Sequence, residues 1–142
     1  MAQTFSTELA GIASLPVVKP AVPSYGGRLR RYRASIALAA QSPTAGNEIV
    51  LAKLPAGQVF AFAIVNTDTS TGATTVALGN AASAATYSAT VAYATINTPV
   101  ITGKVAPTIA AAYTAEEVVL LTSSAALPGA GNMVVDIYTS QA

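Results

Sequence analysis

From Arg30 onward this chain is cut into short β-prone runs, each ended by Pro, Gly or a group of small polar residues. Tyr32, Ala34, Ile36 and Leu38 share one parity, and Arg31, Arg33 and Ser35 the other. That is the period of two of a half-buried strand. Residues 42–47 (Ser-Pro-Thr-Ala-Gly-Asn) read as a loop, 49–54 as a second strand, and Pro55-Ala56-Gly57 as its end. In 59–65, Phe60, Phe62 and Ile64 share one parity, while Val59, Ala61, Ala63 and Val65 share the other. A strand apolar on both faces is either covered twice or lies in a subunit contact. Polar residues 66–72 turn the chain into a strand at 74–78.

The stretch 81–96 mixes helix-favouring Ala with Thr86, Thr90, Val91, Tyr93, Thr95 and Ile96, which favour strand. It carries no charge to solvate a helical face, so a loop followed by a strand near 90–96 is expected. A short pairing is expected at 100–102, within an otherwise irregular 98–112. Residues 117–122 form another strand, 127–131 (Leu-Pro-Gly-Ala-Gly) a turn, and Met133, Val135 and Ile137 alternate with Val134, Asp136 and Tyr138 in the last strand. Seven or eight strands with turn signals between them point to an all-β protein, a β-sandwich or jelly roll.

The segment 1–27 differs. Pro16, Pro20 and Pro23 are too closely spaced for a helix or a central strand, and Gly26-Gly27 marks a joint. It reads as an extended N-terminal arm or a solvated tail. Phe5, Leu9, Ile12, Leu15, Val17, Val18 and Val22 favour an arm that docks, because a purely solvated tail has little use for them. The expected organisation is therefore an arm at 1–27 and a β-sandwich domain at 28–142.

Composition narrows the chemistry. Charged residues are 9% of the 142, against about 25% in a typical soluble domain. Much of the 52% hydrophobic share is methyl groups, since 31 residues are Ala. With no Cys and no His, the chain can hold neither a disulfide nor a Cys/His metal site, and no His- or Cys-dependent mechanism. Mean hydropathy is +0.52, yet apolar runs such as 59–65 fall far short of the roughly 20 residues of a spanning helix. No membrane contact is expected. Residues 1–13 show no basic region ahead of an apolar core, so no signal peptide is expected and folding in a cytoplasm is.

Glu116 and Glu117 are adjacent, so on a strand they point to opposite faces and cannot share acid–base work. Asp68 among Thr and Ser resembles an Asx turn, and it is alone as a carboxylate there, too few ligands for calcium. No phosphate-cradling glycine motif occurs. The chain therefore reads as non-enzymatic, with no cofactor and no metal. Its charge is unevenly placed: residues 1–33 carry Lys19, Arg28, Arg30, Arg31 and Arg33 against Glu8, a net +4, and the remainder is −3. Arg28, Arg30, Arg31 and Arg33 beside Tyr25 and Tyr32 could meet nucleic acid. The cluster spans only six residues on an otherwise net acidic chain, which favours protein contact or a solvated strand start over nucleic acid. A carbohydrate module would want aromatic platforms, and here Trp is absent and the six Tyr are scattered.

The order strand, Leu54-Pro55-Ala56-Gly57, strand, Asn66-Thr67-Asp68, Thr75-Val76-Ala77-Leu78-Gly79-Asn80 has a counterpart in a known family. So has the closing Tyr113–Leu121 segment, followed by Gly131-Asn132-Met133-Val134-Val135-Asp136-Ile137-Tyr138. Over about residues 30–140 the chain resembles the small β-sandwich virion proteins of tailed bacteriophages, the capsid decoration or cement proteins and head-fibre bases. The resemblance implies a jelly-roll-like homodimer or homotrimer that clamps the major capsid protein on the capsid exterior, without catalysis, after assembly in the host cytoplasm. It also implies partner contacts through the arm and the Arg-bearing strand start, that is Phe5, Leu9, Ile12, Val17, Val18, Arg28, Arg30, Arg31 and Arg33. A fibre or receptor- or glycan-binding β-module is the alternative it leaves.

Overall fold

The computed structural model describes residues 28–41, 48–103 and 111–141. They form eight strands: β1 (Arg28–Ala37), β2 (Glu48–Leu54), β3 (Gln58–Thr67), β4 (Thr75–Asn80), β5 (Ser83–Ala92), β6 (Val100–Gly103), β7 (Glu117–Ser123) and β8 (Asn132–Gln141). One helical turn, α1 (Leu38–Gln41), follows β1. The expected arm, with Phe5, Leu9, Ile12, Val17 and Val18, and the expected loop at 42–47 lie outside the described residues.

The strands build two antiparallel sheets, ordered β1-β8-β3-β6 and β2-β7-β4-β5. Each strand's inward row buries against the other sheet. Ile36, Phe60, Ala63, Val65, Met133, Val135 and Ile137 of the first meet Leu51, Leu54, Val76, Leu78, Tyr87, Val119 and Leu121 of the second. Phe60 stacks on Tyr87 with centroids 4.6 Å apart, and Tyr113 meets Tyr87 edge-on. Gln58 is fully buried at one end of this core. Its Nε2 donates to the Tyr32 hydroxyl at 2.5 Å, and its Oε1 accepts from Thr139 Oγ1 at 2.7 Å. One side chain thereby joins β1, β3 and β8 without leaving either amide end unsatisfied.

Two expectations need correction. Phe60 and Phe62 do not share a face. A bulge between them in the β3–β8 ladder places Phe60 opposite Thr139 and Phe62 opposite Tyr138. One inserted residue flips the side chains that follow, because the side-chain period is two. Phe60 is in the core, whereas Phe62 and Ile64 stand half-buried on the outer face. The second correction concerns 81–96. The strand there is β5, ending at Ala92, and 93–98 is a turn rather than a strand. Tyr93 is buried, its N–H donating to Thr71 Oγ1 at 2.9 Å, and Asn97 takes a φ of 53°. The β2–β7 ladder carries a bulge of its own between Val50 and Ala52, which lets both Leu51 and Leu54 reach the core.

Candidate interaction surface

The Arg-bearing segment is β1, an edge strand of the first sheet. Tyr32, Ala34 and Ile36 face inward, because only they offer apolar surface to the core. Arg31, Arg33 and Ser35 therefore face out. Arg28 and Arg30 share the inward parity but lie beyond the end of the core, and both are exposed. The sequence-predicted arginines are thus gathered on one strand, with Arg31 and Arg33 on its outer face. They are not equivalent. Arg33 Nε and Nη2 donate to Asp136 Oδ1 and Oδ2 at 2.8 and 2.7 Å, a bidentate cross-strand pair. Its guanidinium holds the Asp136 carboxyl below the usual carboxylate range. Arg28, Arg30 and Arg31 make no ion pair among the described residues.

Register continues the outer face inward from this edge. Arg31 lies opposite Tyr138, and Tyr138 opposite Phe62. The two rings stack with centroids 4.6 Å apart and planes 16° from parallel. In the next row Arg33 lies opposite Asp136, Asp136 opposite Ile64, and Ile64 opposite Ile101. Beyond it Asn66 and Val134 pair, and a shallow depression of about 320 Å³ is lined by Arg33, Ile64, Asn66, Pro99, Val134 and Asp136. Leu29 and Ile101 are 63% and 71% exposed at the two margins. The face is an apolar, aromatic-centred strip with a cationic border. Such a surface suits a protein contact, where a desolvated centre supplies energy and rim charges supply orientation. The sequence concealed it because the bulge that turns Phe62 outward leaves no mark on the hydrophobic pattern.

A second constellation surrounds Glu117, the first residue of β7. Its Oε1 accepts from Asn80 Nδ2 at 2.7 Å and from the buried Tyr87 hydroxyl. Burial and this bond push the Tyr87 pKa upward. Beside them opens a cleft of about 380 Å³, lined also by Thr86, Tyr113 and Glu116. Glu116 turns away to Lys53, 3.9 Å off, and both are exposed. Glu117 therefore ties β7 to β4 and β5, and no second carboxylate joins it in this bonding. Asp68 is likewise structural. Its Oδ1 accepts from the Asn132 N–H at 2.7 Å and its Oδ2 from Asn132 Nδ2 at 2.9 Å, fastening the β3–β4 turn to the start of β8. Among the described residues no three His, Cys, Asp or Glu are close enough to hold a metal, and no helix is long and apolar enough to cross a membrane.

Eight antiparallel strands in the paired orders 1-8-3-6 and 2-7-4-5 define the chain as a jelly roll. No family model matches it, and no curated protein sequence is similar. Solved structures are similar in fold. A chain of the cyanophage Pam1 capsid asymmetric unit superposes with a TM-score of 0.62 at 16% identity, covering 83% of this chain and 88% of that one. A chain of the Ralstonia phage GP4 capsid gives 0.60 at 19% identity, covering 82% and 86%. A chain of the acid-stable capsid of Helicobacter pylori bacteriophage KHP30 gives 0.58 at 14% identity, covering 79% and 86%. The matched part spans about four fifths of this chain and somewhat more of each capsid chain, so these capsid chains are of similar length to this one.

Proposed function

We propose that this protein is a non-enzymatic structural component of a phage virion, a homo-oligomeric cement or decoration protein bound to the outer surface of the capsid. The observation that carries this reading is the shared jelly roll with like-sized chains in three phage capsids. The outer face of the first sheet supports it further, with Phe62, Tyr138 and Ile64 at its centre and Arg28, Arg30 and Arg31 along its border. That face meets the major capsid protein across subunit joints, and residues 1–27 add a second contact through Phe5, Leu9, Ile12, Val17 and Val18. Many symmetric copies, each covering a standard interface of about 1,600 Å², multiply modest contact energies into shell stability.

The test is a sedimentation titration with expanded empty capsids of the phage that encodes the protein. Saturable co-sedimentation at a fixed number of copies per particle is expected. Absence of binding through micromolar concentrations contradicts the proposal. A defined ligand on a glycan array, without capsid binding, moves the reading to a fibre or receptor-binding module.

A further inference from the structure

The sandwich has two open sides, and they differ in kind. On one side β1 lies beside β2, and this side holds Arg28, Arg30, Arg31, Arg33, Glu48 and Lys53. On the other side β5 lies beside β6, joined by the Ser88 and Thr102 hydroxyls. Here the described residues are without charge: residues 69–103, which supply β4, β5, β6 and the turns between them, contain no Asp, Glu, Lys, Arg or His. An edge strand offers unpaired backbone groups to any passing chain, and proteins that stay apart protect such edges with charge or proline. β1 and β2 are protected in that way. β5 and β6 contain neither charge nor proline. The same side exposes Ile96 (50%) and Ile101 (71%) amid Ala89, Thr90, Ala92, Ala94 and Thr95, all exposed.

We infer that the β5–β6 side is the contact between copies of this chain, each neutral side packed on that of a second copy. This deepens the homo-oligomeric part of the reading above and rests on it. The choice of occupant follows from charge. A neutral, small-residue surface with exposed isoleucines is complementary to itself, as a symmetric contact requires. The arginine-bearing side is not, since like charges would face each other. A strongly charged partner would also have to desolvate its charges against a surface with no counter-ion to offer. The division leaves the arginine border and the Phe62–Tyr138 face directed elsewhere, towards a different partner.

The experiment is light scattering on the full chain after size exclusion, from micromolar concentration upward. The wild type is expected to run as a discrete oligomer. Ile96→Lys with Ile101→Lys is expected to weaken association at least about tenfold, because two uncompensated charges enter the contact. Both positions are exposed, so the variant keeps the wild-type circular dichroism spectrum. Arg30→Glu with Arg31→Glu, on the opposite side, is expected to leave the oligomer intact. A monomeric wild type overturns the inference, as does an oligomer that survives both lysines but dissociates on arginine reversal. Capsid sedimentation of the same samples separates the two claims. An oligomer that loses to the lysines yet never binds capsids supports this contact and contradicts the cement reading.

Discussion

Gly131 has a φ of +99°, and a Cβ built there would stand 1.9 Å from Thr69 Oγ1 and 2.6 Å from Asp68 Oδ1. Its backbone carbonyl also accepts from the Leu38 N–H at 2.9 Å, so the turn cannot simply move aside. Gly131→Ala is expected to cost about 2 to 4 kcal/mol, from left-handed strain together with overpacking. Chemical denaturation at neutral pH measures it. Two carboxylates, Asp68 and Asp136, give the molecule an acid limit. Hydrogen bonds from Asn132 hold Asp68 below the ordinary carboxylate value, and Arg33 does the same for Asp136. A depressed folded pKa means stability that is fully present above the unfolded value and lost as pH falls through the folded one. Unfolding midpoints should therefore drop as pH falls below about 4. Asp136→Asn should lower the midpoint at pH 7 and flatten part of that acid slope. An unchanged slope would remove Asp136 from the account. Neither aspartate's role follows from composition, because each depends on a residue more than 60 positions away in the chain.

At the scale of elements, β3 is decisive. Phe60 is buried in the stack with Tyr87, while Phe62, two residues on, lies outside against Tyr138. Phe60→Ala is expected to cost about 3 to 5 kcal/mol, and Phe62→Ala about 1 kcal/mol, the worth of a half-buried aromatic pair on the outer face. Equal costs in equilibrium denaturation would place both rings in the core and contradict the bulge. Most strands were legible from the sequence, because β1, β7 and β8 bury large side chains at turn-bounded runs that local pattern can show. In β8 the rule is plain, with Met133, Val135 and Ile137 inward and Asp136 outward. β5 was not legible. Its ladder to β4 shifts register twice, and Tyr87 and Val91 are its only large apolar side chains, so neither period nor propensity marks it. The close approach of the Ser83 and Ala84 backbone to Gly79 is likewise a long-range fact. An added Cβ there would meet the Ser83 carbonyl at 2.1 Å, which is why that strand position carries glycine.

At the scale of the whole molecule, charge is sorted by side. Among the described residues the β1–β2 side carries six of the ten charged side chains and the β5–β6 side none, and the outer face of the first sheet lies between with its stacked Phe62 and Tyr138. The sequence showed the basic start and the low total, but the sorting exists only once β5 and β6 fold onto the same side. Arg33 is engaged with Asp136, so Arg28, Arg30 and Arg31 are the β1 arginines without an ion pair among the described residues. Replacing these three with Ser should weaken capsid attachment and reduce its dependence on salt, since exposed charges are screened beyond about 8 Å at physiological ionic strength. Deleting residues 1–27 should leave the circular dichroism of the β-domain intact and weaken sedimentation with capsids. A deletion variant that attaches as well as the full chain would remove the arm from the contact.

The central claim is that this jelly roll coats the outside of a capsid. Electron cryo-microscopy of the phage's empty expanded capsids, with and without saturating protein, tests it most directly. Added density is expected on the outer surface at symmetry-related positions, with the first sheet and its arginine border towards the shell and the uncharged sides of neighbouring copies together. Capsids that look the same with and without the protein, or density confined to the tail, would contradict it.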